Sequence, residues 1–193
     1  MAKRKKGIDE KIIASAKTEF LREGYFGASL RKIAAGAGTS TGAIYARYER
    51  KEELLSAVIE PTASEFMERV REWFSTAQNI CSEEFQYDFW LGQIDFLYEY
   101  KDEFLLLLTA PRYTKYGRYE ITLAEIAAKP TYEHYSERLK KKEIEPYFVV
   151  AIYLSLFSGI FEMVLRHTTK QDAVKYVPRL CRYFRVGWQS ILQ

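Results

Sequence analysis

The first part of the chain repeats apolar residues with the period of an α-helix. The apolar positions recur every four residues, at Ile8, Ile12, Ala16 and Phe20. They share one face of a helix, which predicts an amphipathic helix over residues 8–23. Gly24 follows directly, and glycine often ends a helix because it adopts the left-handed backbone conformation at little cost.

Two short helices joined by small residues are predicted next. Ser29 and Ser40 can serve as N-caps, since a serine hydroxyl accepts a hydrogen bond from a free amide at the start of a helix. The first helix is broken by Gly-Ala-Gly-Thr at residues 36–39, and the second covers residues 41–48. This pattern is typical of a helix-turn-helix. Spacing alone also allows a plain helical hairpin with a solvated charged face.

The rest of the pattern predicts helices without clear strands, which indicates an all-α fold. A long helix over residues 51–77 contains Pro61, which favours a kink. Further helices are predicted over residues 83–100, 102–109, 118–142, 146–167 and 170–192. Pro130 and Pro178 lie inside two of them and should kink or split them. No apolar run approaches the roughly 20 residues that cross a membrane, so no membrane partner is expected.

Charge is distributed unevenly over this ordinary globular composition. Residues 1–55 contain 12 lysines and arginines against 7 acidic residues, whereas residues 56–193 contain 17 against 19. A basic first quarter on a near-neutral body indicates a module that binds nucleic acid or an anionic membrane. No apolar segment follows the basic start, so no secretory signal is predicted.

The sequence contains neither HExxH nor a glycine-rich phosphate loop, which are short motifs of common enzyme classes. An enzyme is therefore not expected, and no catalytic residue or cofactor is assigned. Cys81 and Cys181 stand far apart, without a CxxC pair or a His/Cys spacing that suits a metal. We expect no metal site and interpret both cysteines as free, buried thiols of a cytoplasmic protein.

One segment resembles a known family. Residues 33–48, IAAGAGTSTGAIYARY, are followed by KEEL at residues 51–54. Together they resemble the DNA-binding domain of the tetracycline-repressor (TetR) family of transcriptional regulators. The resemblance covers about residues 8–55. It implies a helix-turn-helix DNA-binding domain over residues 1–55, with a flexible basic arm at 1–7, and a helical regulatory and dimerisation domain over residues 56–193.

The resemblance also implies which residues contact DNA. Ser29, Tyr45 and Lys51 would bind phosphates, while the recognition helix would read bases in the major groove. The implied set is Ser29, Arg31, Thr39, Thr41, Gly42, Ala43, Tyr45, Arg47 and Lys51. Packing between helices is the alternative for Tyr45, and contact with phosphate alone is the alternative for Arg47. With so few base-reading side chains, a homodimer on palindromic double-stranded DNA is expected.

Aromatic residues concentrate after residue 60, where 25 of the 30 lie. With Glu162 they suggest a ligand pocket, and the expected lining residues are Phe89, Trp90, Phe96, Phe104, Tyr113, Tyr153, Phe157, Phe161 and Glu162. The alternative is that the aromatic residues are simply core. Glu162 and Asp95 lie in nearly uncharged runs, and a buried carboxylate needs a partner. For Glu162 this could be Arg166, another helix or a cationic ligand.

The pattern as a whole favours a ligand-responsive DNA-binding regulator. We interpret it as a repressor that binds its operator as a dimer and is released by a small hydrophobic or aromatic effector, cationic if Glu162 faces the pocket. The alternative is a DNA-binding helical regulator controlled by a protein partner, with an interior filled by side chains.

Overall fold

The structure is a computed structural model that describes residues 6–75, 83–112 and 114–193. The described residues contain helices and no strand, which confirms the predicted all-α fold. In chain order the helices are α1 (Lys6–Gly27), α2 (Leu30–Gly36), α3 (Thr41–Tyr45), α4 (Lys51–Phe74), α5 (Glu83–Glu99), α6 (Lys101–Leu108), α7 (Tyr119–His134), α8 (Ser136–Lys141), α9 (Pro146–Glu162) and α10 (Lys170–Leu192). A π-helical turn, Met163–His167, follows α9.

The helix ends follow local backbone chemistry more closely than they follow proline. Gly24 has φ 68° inside α1, so the regular helix breaks where the sequence predicts its end. Pro61, Pro130 and Pro178 all lie within helices. The helix predicted over residues 118–142 is divided at Tyr135, five residues beyond the proline that was expected to interrupt it.

The chain divides into two compact units. One comprises Met1–Ser64 with Asp102–Gly117, and the other comprises Glu65–Lys101 with Arg118–Gln193. The domain boundary predicted after residue 55 divides the chain by function rather than by compactness, and it stays a prediction.

The core of the first unit begins with the apolar face predicted for α1. Ile12, Ala16 and Phe20 are buried, as are the residues that α2 and α3 turn toward them. Helices α1 and α2 approach closely at Gly36, where an added Cβ would lie 2.4 Å from the Ser15 Oγ. That hydroxyl donates a hydrogen bond of 2.9 Å to the carbonyl of Ile33. The small residue at position 36 is therefore required by the packing of α2 on α1.

Two polar contacts join the later segment of the first unit to α1 and α4. Lys17 on α1 forms an ion pair of 2.7 Å with Glu103 on α6. Glu60 on α4 accepts hydrogen bonds from Lys115 Nζ at 2.8 Å, from Ser64 Oγ at 3.1 Å, and from the Tyr116 hydroxyl. Burial alone would raise the pKa of Glu60, but the hydrogen bonds from these three donors hold it below its ordinary value.

The second unit is built on α7 and α9, which pack along each other, and on α5 and α10, which do the same. Its core is rich in aromatic rings. Cys181 on α10 is free and buried, as predicted, and burial raises the pKa of its thiol to about 12. Cys81 lies outside the described residues.

One helical stretch, Pro146–Arg166, is long and apolar enough to cross a membrane by length and composition. The expectation that no run reaches that length is therefore wrong, because the helix continues past Glu162 into the π-helical turn. A core helix of a folded unit has the same composition. Val149, Phe157 and Ile160 are fully buried within the second unit, which accounts for the apolar character of this stretch.

Candidate nucleic-acid interface and aromatic core

Helix α3 is short and is defined by its capping residues. Ser40 has extended backbone angles, and its Oγ accepts a hydrogen bond of 3.2 Å from the Ala43 amide, as predicted for an N-cap. Gly38 in the preceding turn has φ 64°, a conformation that favours glycine. Ile44 is buried and anchors the helix, while Gly42 and Tyr45 are exposed. The outer face of α3 therefore consists of small residues and one tyrosine.

A carboxylate of α1, which the sequence pattern did not indicate, lies beside the start of α2. Ser29 takes the predicted N-cap position of α2 with extended backbone angles, but its hydroxyl accepts no capping hydrogen bond from the described helix, so that part of the prediction is wrong. Its amide donates a 3.2 Å hydrogen bond to Glu19 Oε1. Glu19 is only 4% exposed and also accepts a hydrogen bond from Arg22. The amide of Ser29 is thus already bound within the protein, so a phosphate held here would have to use the Ser29 hydroxyl or the amides that follow.

Lys51, expected to meet a phosphate, is half-buried and has contacts at the end of α1. Its Nζ donates to the carbonyls of Phe26 at 3.3 Å and Ala28 at 3.2 Å. It also lies 4.7 Å from the centre of the Tyr25 ring, as in a cation–π contact. The ammonium group therefore ties the start of α4 to the end of α1, and any contact with DNA would be additional to this.

Arg47 follows α3 and is also held inside the first unit. Its Nη1 donates to the carbonyl of Ala43 at 2.8 Å, and its Nε donates to the carboxylate of Asp9 on α1. The side chain of Arg47 is 21% exposed. Sequence reasoning missed Asp9, since nothing in the local pattern links two residues so far apart along the chain.

All nine residues expected to contact DNA lie in the first unit, on α2, α3, the turns beside them and the first residue of α4. Arg31 is exposed and Thr39 is half-buried. The surface that they form combines an exposed hydroxyl, small side chains and several cations. This combination can bind a phosphate backbone closely and present few groups to the bases.

Six of the eight aromatic residues expected to line a pocket are buried in the second unit, where they contact one another. The distance between ring centres is 5.2 Å for Phe89 and Trp90, and 5.5 Å for Trp90 and Phe157. Phe157 and Phe161 are 6.2 Å apart. Phe96 and Tyr153 are also buried. Phe104 is buried in the first unit, and Tyr113 lies outside the described residues.

The carboxylates expected to be buried are at the surface. Glu162 has a side chain that is 58% exposed and forms an ion pair of 2.9 Å with Arg166, one turn further on. Asp95 is 75% exposed and pairs with Lys170 at 2.7 Å. Arg166, one of the partners considered for Glu162, is therefore confirmed, whereas burial of the two carboxylates is not, because each residue lies on the outward side of an otherwise apolar turn.

A different polar group is buried in the second unit. Gln93 on α5 is 8% exposed, and among the described residues no group donates a hydrogen bond to its Oε1. It lies one turn from Phe89 and one turn from Phe96. Phe89 contacts Phe74 of α4, and Phe96 stacks on Phe66 of the same helix. Along α5, Gln93 therefore lies between two residues whose rings contact α4.

The outer face of α9 and α10 carries an open apolar groove of about 660 Å³. Its lining includes Ile152, Tyr183, Phe184, Val186, Trp188 and Ile191. Tyr183 is 73% exposed and Val186 is 53% exposed. Arg179 and Arg182 lie at the same groove. Large exposed apolar side chains in contiguous positions are typical of an interaction surface.

Comparisons with known proteins agree with this architecture. Residues 12–58 match the family model described as bacterial regulatory proteins, tetR family. A comparison with curated protein sequences found no match. Solved structures with a similar fold include the TetR-family transcriptional regulator PfmR from Thermus thermophilus, with a TM-score of 0.64 at 17% identity, covering 89% of this chain and 97% of that one.

Two further structures have comparable similarity. The fatty acid degradation regulator FadR from Bacillus halodurans has a TM-score of 0.60 at 18% identity and covers 91% of this chain and 97% of its own. A transcriptional regulator of the TerR/AcrR family from Aquifex aeolicus has a TM-score of 0.57 at 21% identity, covering 95% and 99%. At these identities the likeness establishes the fold.

Proposed function

We propose that this chain, which belongs to the TetR family of bacterial regulatory proteins, is a ligand-responsive transcriptional repressor. The family assignment rests on the match of residues 12–58. The protein binds a palindromic operator as a homodimer in the cytoplasm and has no enzymatic activity. The observation that carries the proposal is the outer face of α3, where small residues and the exposed Tyr45 allow the helix to approach a groove closely. We also propose that the DNA-binding function lies within residues 1–55.

The apolar groove of α9 and α10 supports the homodimer. Its exposed Tyr183 and Val186 would be costly to leave in water, at about 25 cal/mol for each Å² of apolar surface. A second copy of the same face would cover them about a twofold axis. Ser155 on α9 is exposed and short enough for helices to approach closely, whereas Ser158 donates a hydrogen bond to Glu120 on α7 within the same unit. A twofold dimer places two recognition helices on one palindrome.

The aromatic core of the second unit supports an apolar effector. The rings already fill much of that core, so a ligand must separate helices to enter it. Gln93 is the polar group best placed to orient such a ligand, because its buried Oε1 has no donor within the part of the chain that the structure describes. An unsatisfied buried acceptor costs about 1–3 kcal/mol, and a ligand with a donor would recover this. Glu162 is exposed and paired, so we do not assign it to the pocket.

Helix α4 can link effector binding to DNA binding, since it is continuous from Lys51 to Phe74. Its first residues belong to the first unit, and Phe66, Val70 and Phe74 are buried in the second. A ligand that displaces α4 would change the separation of the recognition helices in the dimer. Ligand and operator then weaken each other by one common factor, and about 1–3 kcal/mol is typical.

The dense ring contacts also favour a second candidate, a DNA-binding regulator controlled by a protein partner. In that case the aromatic rings are only core, and no small molecule enters them. Mass spectrometry of the purified protein separates the two candidates, because an apolar effector held in the core should be carried through purification.

The DNA-binding proposal is tested by selection from random duplexes. We expect recovery of a palindrome whose half-sites are a whole number of helical turns apart, with an affinity that falls steeply with salt. Recovery of no palindrome would contradict the dimeric operator. Reciprocal titration then tests the switch. Operator affinity is measured with and without ligand, and ligand affinity with and without operator. Equal affinities in both pairs would leave a DNA-binding protein without the proposed switch.

A further inference from the structure

Asp9 and Arg47 form a contact that joins the start of α1 to the end of the recognition helix. The carboxylate of Asp9 accepts a hydrogen bond from Arg47 Nε, and the carbonyl of Ala43 accepts one from Arg47 Nη1 at 2.8 Å. The two side chains are 31% and 21% exposed, so water screens the pair only in part. The guanidinium is therefore held at two points by two different helices.

This geometry changes what Arg47 can offer to DNA. A guanidinium has five N–H donors, of which Asp9 and the Ala43 carbonyl engage two. The donors that remain are fixed in one orientation, which suits a planar, bidentate acceptor better than a flexible one. The carboxylate also offsets the positive charge. Because its charge is neutralised, Arg47 binds phosphate groups weakly in general. Its fixed N–H donors can still distinguish one base from another by the direction in which the acceptor atoms lie.

We propose that Asp9 is a positioning residue of the DNA-binding surface. It holds Arg47 in the orientation used on the operator and suppresses binding of Arg47 to other DNA. Asp9 thereby increases the ratio of operator affinity to non-specific affinity. This inference rests on the proposed DNA-binding function and adds a specificity determinant that lies outside the helix-turn-helix itself.

Asp9→Ala and Asp9→Asn test the proposal, with affinities measured for the selected operator and for a scrambled duplex over a range of salt. For Asp9→Ala we expect operator affinity to fall about tenfold, within the range for one lost recognition contact. Affinity for the scrambled duplex should rise, and its salt dependence should steepen by about one phosphate contact, because Arg47 becomes a free cation. Asp9→Asn retains an oxygen acceptor, so it should raise non-specific affinity with a smaller loss on the operator.

Glu10→Gln is the matched control. Glu10 is the exposed neighbour of Asp9 on α1 and loses the same charge. It should change both affinities by one factor and leave their ratio unchanged. A ratio that falls equally in Glu10→Gln and Asp9→Asn would mean that net charge alone is responsible, and it would overturn the proposal.

The double variant separates positioning from stability. In an Arg47→Ala background, Asp9→Ala should no longer change the ratio of the two affinities. A purely structural role would lower both affinities together and would not raise non-specific binding. The proposal is overturned if Asp9→Ala leaves the ratio unchanged, or lowers it equally without Arg47. If the wild-type chain does not distinguish its selected operator from the scrambled duplex, the proposed function fails instead. Thermal unfolding monitors the fold of each variant, and Asp9→Asn carries the test if Asp9→Ala does not fold.

Discussion

Single residues around α3 divide between those that hold the helix and those left facing outward. Ile44 is buried, and the Ser40 hydroxyl caps the backbone. Lys51 and Arg47 are engaged by carbonyls and a carboxylate of the first unit. Tyr45 is 55% exposed and points away from the core. Its hydroxyl is thus an exposed polar group of α3 that can meet a phosphate without breaking an internal contact.

Tyr45→Phe should weaken binding to every duplex by the same factor. It removes one hydroxyl and leaves the ring, and one hydrogen bond is worth about 1 kcal/mol, or about fivefold in affinity. The measurement is the affinity for the operator and for a scrambled duplex at one salt concentration. Tyr147→Phe, a change at an exposed tyrosine of α9 that does not line the apolar groove, is the control and should leave both affinities unchanged. A loss confined to the operator would instead assign Tyr45 to base recognition.

Gly36→Ala tests the close approach of α1 and α2. The added methyl group would meet the Ser15 Oγ at 2.4 Å, and overpacking of this kind costs about 1–3 kcal/mol. In a Ser15→Ala background the nearest atom is the Cβ of residue 15 at 3.5 Å, an ordinary contact. There, Gly36→Ala should be neutral or stabilising, because alanine favours a helix. Denaturant unfolding measures both steps, and an equal cost in the two backgrounds would contradict the packing.

At the scale of helices, sequence periodicity predicted the positions of the helices well, but it predicted the contacts between them poorly. The four-residue repeat predicts α1, and the serine caps predict α2 and α3, because these signals are local. The break at Tyr135 has no comparable signal, since the prolines nearby are accommodated inside helices. Glu162 and Asp95 were expected to be buried, but a single outward-facing position in an apolar turn is enough to keep a charged side chain in water. The contacts of Arg47 and Lys51 depend on tertiary packing and could not be predicted from spacing.

The contact between α4 and the segment after α6 should make stability depend on pH through Glu60. Its pKa is lowered in the folded state, so the contact stabilises the fold above about pH 4.5 and is lost as the pH falls through the folded pKa. Glu60→Gln should therefore destabilise the protein at neutral pH and have a shrinking effect in acid. Thermal unfolding from pH 3 to pH 7 measures this. Glu65→Gln, which removes the partner of Arg69 on the same helix, is the control. A constant difference over the whole range would contradict the role of Glu60.

At the scale of the whole molecule, the two units supply what a DNA-binding regulator needs in separate places. The first unit contains α3, the proposed recognition helix, and the residues that contact it. The second contains the aromatic core and, on its outer face, the apolar groove of α9 and α10. The resemblance implies a homodimer, and the groove is the surface that we propose for its interface. The residues that form the groove follow from their exposure in the folded chain.

Val186→Glu should convert the proposed dimer into a folded monomer. It places a charge on a residue of the groove that is 53% exposed, where burial against a second copy would desolvate it. Sedimentation equilibrium measures the mass, and operator affinity should fall by about 100-fold or more because the second half-site no longer contributes. Gln171→Glu, at an exposed polar position of α10, should change neither property. A dimer that persists in Val186→Glu would exclude this groove as the interface.

The burial of Cys181 has a consequence for covalent chemistry. A thiol with a pKa of about 12 is almost entirely protonated at neutral pH, and peroxides and maleimides react with the thiolate. Cys181 should therefore remain unmodified while α10 stays packed, and it should react only when that helix opens. The rate at which Cys181 is labelled, followed by mass spectrometry of the peptide that contains it, then measures how often α10 opens. An effector that stabilises the packing of the second unit should lower this labelling rate, even if it changes no contact at the surface of the protein.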